Sequence, residues 1–228
     1  MSTNHPPADW LQALPRDRLL VDLSLWSSDL ANMARDIERT EPLVDIYHID
    51  VGDGRFTPTL LMFPDQVARI RTLTTKPIHV HVMVEGDILL AQVQQFLDAG
   101  ADLISVHEEN GAVVGEALDL IAPAGRAGGL VLRLDTPVER IGPWLDRVSM
   151  VTLLGTAIGV KGVGLDETAC PRLIEARRLI RDADRTDAIR LSADGGIRHN
   201  TVPLLRAAGA EAVVPGSLVF GDPDLAGR

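Results

Sequence analysis

Apolar and polar positions along this chain follow two patterns that alternate from segment to segment. Short apolar segments typical of β-strands alternate with longer segments whose apolar residues recur at helical spacing. The predicted strands cover 20–24, 44–51, 78–83, 103–107, 129–134, 150–154, 189–193 and 212–215. The predicted helices lie between them at 29–40, 63–73, 88–98, 112–122, 138–146, 168–183 and 200–208.

Strands that alternate with helices at this spacing form parallel βαβ units. The pattern therefore favours the α/β class and a single (β/α)8 TIM barrel over residues 20–228. A doubly wound open sheet is the alternative. A chain of 228 residues, 46% of them hydrophobic, is long enough for one such barrel with a sizeable core.

Glycines and the chain ends refine this picture. Gly100 and Gly209 each stand where a helix would end in the left-handed conformation before the next strand. Only residues 221–228 remain for an eighth helix, which is therefore expected to be short or missing, leaving apolar surface between the first and last strands. We expect the N-terminal extension 1–19, through its amphipathic fragment 9–14, or a partner subunit to cover that surface. A homo-oligomer is expected for the same reason.

Charge and targeting signals narrow the function classes. The 22 Lys and Arg residues against 32 Asp and Glu give a net charge of −10, which argues against broad binding to nucleic acid or to an anionic membrane. No apolar run approaches the roughly 20 residues that a membrane span needs, and the N-terminus lacks signal-peptide features, so a cytoplasmic protein is expected. The single cysteine, Cys170, excludes an internal disulfide, and we interpret it as incidental.

Polar residues recur at the predicted carboxyl ends of the strands, which all reach one face of a parallel barrel. His48 and Asp50 lie two residues apart on the second strand and therefore share a face. His81 stands on the third strand, and Asp194 ends the seventh. Two imidazoles and two carboxylates are a suitable ligand set for one divalent metal ion. The alternative is that each is a solvated strand end or a hydrogen-bonded core residue.

Two further residues of the third strand share the face of His81. Met83 lies nearer the strand end and is predicted to contact a substrate. His79 is expected one layer deeper, where it would pack or support a metal ligand.

The last two strands end in glycine-rich turns. Such turns expose backbone N–H groups that can hold a phosphate without positive side chains, and barrels frequently bind phosphate after strands seven and eight. The residues concerned are Gly195, Gly196, Gly216 and Ser217. The glycine-rich loop 155–164 could close over the ligand, with Lys161 reaching an anionic group. A flexible loop with a solvated lysine is the alternative.

Six segments carry these residues in chain order. They are SLWSSD at 24–29, HIDVGDGRFTP at 48–58, HVHVMVE at 79–85, DAGADLISVHEE at 98–109, ADGGI at 193–197 and VPGSLVFG at 214–221. Together they cover nearly the whole predicted barrel, and in order and spacing they resemble the ribulose-phosphate 3-epimerase family. The resemblance implies a barrel of the ribulose-phosphate-binding type.

The resemblance also implies a reaction, the interconversion of D-ribulose 5-phosphate and D-xylulose 5-phosphate. The implied ligands of one divalent metal ion, commonly Zn, Fe, Mn or Co, are His48, Asp50, His81 and Asp194. The two carboxylates would also be the catalytic acid and base, one on each face of the substrate, with a metal-stabilised enediolate between the proton transfers. Ser24 would contact the sugar. The implied phosphate ligands are Gly196, Gly216 and Ser217.

Departures from the family pattern surround the predicted site. Gly52 stands where a methionine is usual, His79 where an acid is usual, and Arg133 where an asparagine is usual. The loop segment 157–162 also differs and contains Lys161. Smaller groups near the metal and the two cations, Arg133 and Lys161, would reshape the pocket. The type of reaction is therefore better supported than the substrate.

Three other functions stay open. The first is epimerisation of another phosphorylated ketose, such as a tetrulose or hexulose phosphate. The second is a sugar-phosphate-binding barrel without catalysis, against which the retention of both acids argues. The third is a decarboxylase or aldolase on a similar barrel. That chemistry would be expected to need a lysine at a strand end, whereas Lys76 precedes the third strand and Lys161 lies in a loop.

Overall fold

A computed structural model describes residues 5–7 and 9–222, so the predictions for 1–4, 8 and 223–228 lie outside the described residues. Eight parallel strands close into a barrel in chain order, β1 to β8, which confirms the predicted fold and excludes the open sheet. The strands are β1 Leu20–Ser24, β2 Ile46–Gly52, β3 Ile78–Met83, β4 Leu103–His107, β5 Ala127–Leu132, β6 Met150–Leu154, β7 Arg190–Asp194 and β8 Ala212–Val214.

Helices surround the barrel. The α-helices are α1 Trp10–Ala13, α2 Met33–Thr40, α3 Pro64–Arg71, α4 Gly86–Ala99, α5 Val113–Ile121, α6 Ala169–Asp182, α7 Val202–Ala207 and α8 Ser217–Phe220. Short 3₁₀ segments cover Leu25–Ser27, Glu108–Asn110 and Val138–Trp144. Helix α8 has only 4 residues, as the short chain after β8 predicts. None of the helices in the described ranges has the length and apolar character needed to cross a membrane.

Most element boundaries lie within two residues of the predicted ones, helix α2 begins four residues later than predicted, and two other elements also differ. The helix predicted at 138–146 is a 3₁₀ segment, because Pro143 inside it has no backbone N–H for an α-helical bond. Strand β5 covers 127–132 where 129–134 was predicted, so Ala127 and Gly128 belong to the strand and residues 133–134 do not. A Cβ on Gly129 would collide with the Ser105 hydroxyl on β4, so this strand needs glycine for close packing.

Both predicted helix-ending glycines adopt the left-handed conformation. Gly100, after α4, has φ +99°, and Gly209, after α7, has φ +104°. Each glycine reverses the chain directly before an inner strand, so the same αβ turn is used twice.

The fragment containing α1 lies across the amino-terminal end of the barrel. Trp10 and Leu11 pack against Ile46, Leu103 and Met150, the first residues of β2, β4 and β6. The fragment thus packs on the barrel, but at its amino-terminal end and not on the wall between β1 and β8 as expected. The reason is that alternate strands begin with inward apolar side chains, and these form an open layer that an apolar helix face can cover.

Arg190 binds this fragment to the barrel through hydrogen bonds. Its buried guanidinium, at the start of β7, donates hydrogen bonds to the carbonyl oxygens of Leu11, Leu14 and Pro15. The fragment's free carbonyl groups are thereby satisfied at the bottom of the barrel, opposite the strand ends that carry the predicted site.

Candidate active site

The four predicted metal ligands meet at the carboxyl end of the barrel. Asp50 on β2 is paired in register with His81 on β3, which brings their side chains together. One nitrogen or oxygen from each of His48, Asp50, His81 and Asp194 lies within 4.8 Å of the others. The Asp50 Oδ1 atom is 3.3 Å from His48 Nε2 and 3.5 Å from His81 Nδ1. Asp194 Oδ2 is 3.6 Å from His81 Nδ1.

Two buried ring nitrogens in this cluster make no hydrogen bond within the described ranges. They are His48 Nε2 and His81 Nδ1, and both face carboxylate oxygens. An imidazole lone pair that faces a carboxylate is repelled unless a cation lies between them. The donor set therefore fits a divalent metal ion, held by these two nitrogens together with the oxygens of Asp50 and Asp194.

Hydrogen bonds behind His48 determine which of its nitrogens is free. Asp22 Oδ2 lies 3.1 Å from His48 Nδ1 and 2.6 Å from His79 Nδ1. Because a carboxylate oxygen can only accept, both rings carry a proton on Nδ1, and His48 Nε2 keeps its lone pair. His79 Nε2 in turn accepts from the Ser105 hydroxyl at 2.7 Å.

A second set of hydrogen bonds, through His107 and Glu109, determines which nitrogen of His81 carries the proton. Glu109 Oε2 accepts from His107 Nδ1 at 2.9 Å, which leaves His107 Nε2 as an acceptor. His81 Nε2 lies 2.8 Å from that atom and must donate to it, so His81 Nδ1 keeps its lone pair. Burial lowers the pKa of His107 to about 4, which is consistent with a neutral ring. The Thr136 hydroxyl and the Arg133 backbone N–H hold Glu109 in place.

The electrostatics of the cluster favour a positive charge at His48 and shift the pKa values of the two acids in opposite directions. Burial opposes a second proton on His48, yet Asp22 and Asp50 raise its pKa well above the usual value, so a proton or a metal ion is favoured at Nε2 over the bare lone pair. Burial also opposes ionisation of Asp50, but the neighbouring His48 lowers the pKa of Asp50 well below its usual range. The Ser24 hydroxyl donates to Asp50 Oδ2 at 2.7 Å. By contrast, burial raises the pKa of Asp194 to about 6, and the charge of Asp50 adds to the rise.

The cluster lines one end of a cavity of about 290 Å³. His48 lies behind the cavity wall with no exposed surface, whereas the other three ligands line it. The predicted substrate-binding residues Ser24, Met83, Lys161, Gly195, Gly196, Gly216 and Ser217 all line the same cavity. A single pocket thus contains both the metal cluster and the glycine-rich turns.

The far end of the pocket is formed by backbone that could not carry side chains. Gly195 and Gly196, directly after β7, have φ +92° and +70°, which favour glycine. A Cβ on Gly196 would lie 2.7 Å from the Cα of Leu165, and one on Gly216 would collide with the Ser27 hydroxyl. A ligand at this end therefore meets the peptide groups of these glycines, with Ile197, Arg198 and Ser217 beside them.

The loop 155–164 forms one side of the pocket and is docked on two neighbouring loops. Lys161 Nζ donates to the Trp26 carbonyl oxygen at 2.7 Å and lies 4.2 Å from the centre of the Trp26 ring. The Thr59 hydroxyl donates to the Gly159 carbonyl oxygen at 3.2 Å. Burial lowers the pKa of Lys161 from its usual value. In this arrangement the lysine contacts the tryptophan, and both line the pocket.

Two departures from the family pattern do not reshape the pocket as expected. Arg133 does not line the cavity; its guanidinium stacks on the Phe56 ring at 3.9 Å and donates to the Phe56 carbonyl oxygen. The space left by the missing side chain of Gly52 is occupied, because a Cβ there would lie 2.7 Å from Thr57 Cγ2 and would collide with the Thr59 carbonyl oxygen.

Sequence reasoning missed Asp22, Trp26 and the link between His107 and Glu109. Asp22 lies two residues before Ser24 on β1, so the alternation of the strand could have placed both on the inner face. A charged residue on an inner strand is itself a signal, since buried carboxylates are rare without partners. Nothing in the sequence indicates that Trp26 contacts the loop after β6.

Comparison with known proteins agrees with the geometry. Residues 20–220 match the model of the Ribulose-phosphate 3 epimerase family. The chain belongs to this family. It is 33% identical to ribulose-phosphate 3-epimerase of Bacillus subtilis over 88% of this chain and 92% of that protein. It is also 33% identical to the Escherichia coli K12 enzyme of the same name, over 90% of each chain. Membership of the family makes this protein an isomerase.

More distant structures share only the fold of this epimerase family member. A 3-keto-L-gulonate-6-phosphate decarboxylase from Vibrio cholerae superposes with a TM-score of 0.67 at 17% identity, over 91% of this chain and 92% of that one. A 3-hexulose-6-phosphate synthase gives a TM-score of 0.66, also at 17% identity, over 92% and 94% of the two chains. The barrel is therefore common to several chemistries, and the function has to be argued from the site.

Proposed function

We propose that this protein is a divalent-metal-dependent 3-epimerase that interconverts D-ribulose 5-phosphate and D-xylulose 5-phosphate. One observation carries the proposal. Two carboxylates from β2 and β7 flank two histidine nitrogens that have no hydrogen-bond partner within the described ranges, in the pocket that also contains the glycine turns after β7 and β8. Membership of the family supports the same reaction and a phosphorylated sugar as substrate.

Epimerisation at a carbon next to a carbonyl requires one group to remove its proton and another to return a proton to the opposite face. Asp50, whose pKa is low, is the base in one direction. Asp194, whose pKa of about 6 lies near neutrality, is then the acid. The two roles exchange in the reverse direction. The opposite shifts of two neighbouring carboxyl groups are the arrangement that such a pair of proton transfers needs.

The residues around the two acids are proposed to orient Asp50, contact the sugar and hold the metal ion. Ser24 holds Asp50 through its hydroxyl group and is placed to contact the sugar. His48, Asp50, His81 and Asp194 would hold the metal ion, and their donor types accept Zn, Fe, Mn or Co. When bound, such an ion supplies a positive charge that stabilises the negative charge developing on the substrate's oxygens.

The phosphate group is proposed to lie against the glycine turns, where backbone N–H groups would receive it. The residues concerned are Gly195, Gly196, Gly216 and Ser217. The net charge of −10 argues against a general attraction of anions, so the binding has to be local, from the peptide dipoles of these turns and from Arg198, which also lines the pocket. Met83 and the loop carrying Lys161 would exclude water from the sugar between the two ends.

Deuterium exchange tests the proposal directly. The metal-loaded protein is incubated in D2O with ribulose 5-phosphate, and with a panel of tetrulose and hexulose phosphates. NMR then follows deuterium at the carbon next to the carbonyl and the formation of the epimer. We expect exchange and xylulose 5-phosphate with the pentulose substrate, and loss of both after removal of metal by a chelator.

The other outcomes identify the rival functions. Exchange with a tetrulose or hexulose phosphate alone would replace the substrate and keep the reaction. Tight binding of a phosphate ester without any exchange would indicate a binding barrel without catalysis. Exchange that persists fully in the verified metal-free protein would contradict the role of the metal cluster.

A further inference from the structure

The proposed metal site contains two acids, Asp50 and Asp194, and leaves a third acid beside it unexplained. Asp22 on β1 has no exposed surface and lies directly behind His48. We propose that Asp22, together with His79, is a positioning pair that holds His48 ready for the divalent ion and supplies negative charge to balance it. This inference rests on the proposed metal site, and it assigns a role to residues that do not contact the ion.

The first argument is geometric. A single oxygen, Asp22 Oδ2, accepts from His48 Nδ1 at 3.1 Å and from His79 Nδ1 at 2.6 Å. The bond to His48 fixes the ring's orientation and keeps its proton on the nitrogen that faces away from the pocket. The bond to His79 fixes the carboxylate in turn, so that Asp22 cannot rotate away from His48.

The second argument concerns charge. The hydrogen-bond and ion-pair partners of Asp22 among the described residues are those two histidines, and its second oxygen, Oδ1, has no partner there. On the far side of the network, His79 Nε2 lies 2.7 Å from the Ser105 hydroxyl. A buried carboxylate is stabilised by a nearby positive charge. A divalent ion held by His48, on the side of the ring opposite Asp22, would supply such a charge.

The third argument concerns how neighbouring strands pack around the hydrogen-bond network of Asp22, His79 and Ser105. Ser105 on β4 holds the far end of it, and Gly129 on β5 has no side chain where a Cβ would collide with the Ser105 hydroxyl. The barrel interior is thus shaped from β1 to β5 to keep Asp22, His79 and Ser105 in line. An apolar filling of the same volume would avoid the cost of burying a carboxylate.

Metal affinity tests this role without relying on catalysis. Full-length wild type and the Asp22→Asn variant are freed of metal and titrated with Co²⁺, and Zn²⁺ affinity is measured by competition. Asparagine keeps the shape but removes the charge. We expect an affinity about 10–100-fold weaker in Asp22→Asn, the usual size of effect for groups that support a metal-binding histidine. The Co²⁺ absorption spectrum should also change, because the orientation of His48 is no longer fixed.

Two further variants separate positioning from simple stability. The double variant Asp22→His/His79→Asp exchanges the two residues. Its carboxylate stands at position 79, which is paired in register with position 48, so a negative charge stays beside His48. That exchange should recover most of the lost affinity. Ser105→Ala, which removes only the far end of the network, should lose less affinity than Asp22→Asn. Melting temperatures of the metal-free proteins show whether each variant is folded.

The outcomes are distinct. Asp22→Asn that binds Co²⁺ and Zn²⁺ as tightly as wild type would overturn the inference. So would an exchanged pair that folds and still binds as weakly as Asp22→Asn. If the wild type itself binds neither ion, the proposed metal-dependent function fails, which is a different result from failure of the Asp22 assignment.

Discussion

The two ends of the pocket are built in opposite ways. At the metal end, the cluster is built from side chains, and hydrogen bonds to neighbouring side chains orient His48, His81 and Asp50. At the phosphate end, glycines after β7 and β8 contribute peptide backbone beside Ile197, Arg198 and Ser217, and two of these glycines have positive φ. One end depends on which side chains are present, and the other depends on which are absent.

This difference shows how an acidic protein can bind an anionic sugar next to its own carboxylates. The negative charges of Asp22, Asp50, Asp194 and Glu109 are concentrated around one buried site that favours a cation. The phosphate is proposed to bind at the other end, where no carboxylate is among the lining residues of the turns after β7 and β8. Separation along the pocket lets both kinds of charge be accommodated.

The largest effect is expected from a change at the metal end. Asp194→Asn and Asp50→Asn each remove one of the two groups that move protons, so kcat for epimerisation should fall by at least about 10² to 10⁴-fold. The two losses should not add in the double variant, because the acids act as a unit. Steady-state kinetics with ribulose 5-phosphate measure this. A loss below tenfold in both single variants would show that other residues move the protons.

A change at the phosphate end should affect binding instead of chemistry. In Gly196→Ala the new methyl group would lie 2.7 Å from the Cα of Leu165, and alanine disfavours φ +70°, so the turn must shift. Loss of one hydrogen bond to a charged phosphate corresponds to about a 10–100-fold rise in KM. Bound metal, measured by elemental analysis, should remain as in wild type.

Gly164→Ala is the matched control for that variant. Gly164 lies in the neighbouring loop, and a Cβ there would meet no atom within 4 Å. Its KM should equal that of the wild type. If Gly196→Ala lowered metal content and left KM unchanged, the two ends of the pocket would not be separable.

The support behind His81 can be compared with that behind His48. In Glu109→Gln, the side-chain amide can donate as well as accept, so the proton on His107 is no longer confined to Nδ1. We expect Zn²⁺ affinity to fall by about tenfold, the lower end of the usual range. Glu108→Gln is the control, because that carboxylate pairs with Arg140. Equal losses in the two variants would point to general destabilisation.

The smallest effect is expected from the loop that joins the two ends. Lys161→Met removes the hydrogen bond to the Trp26 carbonyl and the contact with its ring. An exposed contact of this kind contributes about 0.5–1 kcal/mol, so KM should rise only a few-fold. Lys76→Met, which lies before β3, is the control and should match wild type. A loss of more than about 100-fold in kcat would mean that Lys161 has a direct part in the chemistry.

Much of this protein could be predicted from local patterns. The alternation of apolar and helical segments predicts the (β/α)8 barrel, and the spacing of His48 and Asp50 on one strand face places two of the four candidate ligands together. The left-handed glycines after α4 and α7 follow from the same kind of reasoning. These features depend on the conformational preferences of a few consecutive residues, which the sequence displays directly.

Other features depend on contacts between distant segments. The position of α1 at the bottom of the barrel, the close approach of Gly129 to Ser105, and the hydrogen bonds that join Asp22 to two histidines arise only when the barrel closes. Closure fixes the register of neighbouring strands, and the register decides which inward side chains meet. The architecture and the candidate ligands therefore follow from local sequence patterns. Which buried groups hold those ligands depends on the closed barrel, because a hydrogen-bond partner is defined by distance in space and not by separation along the chain.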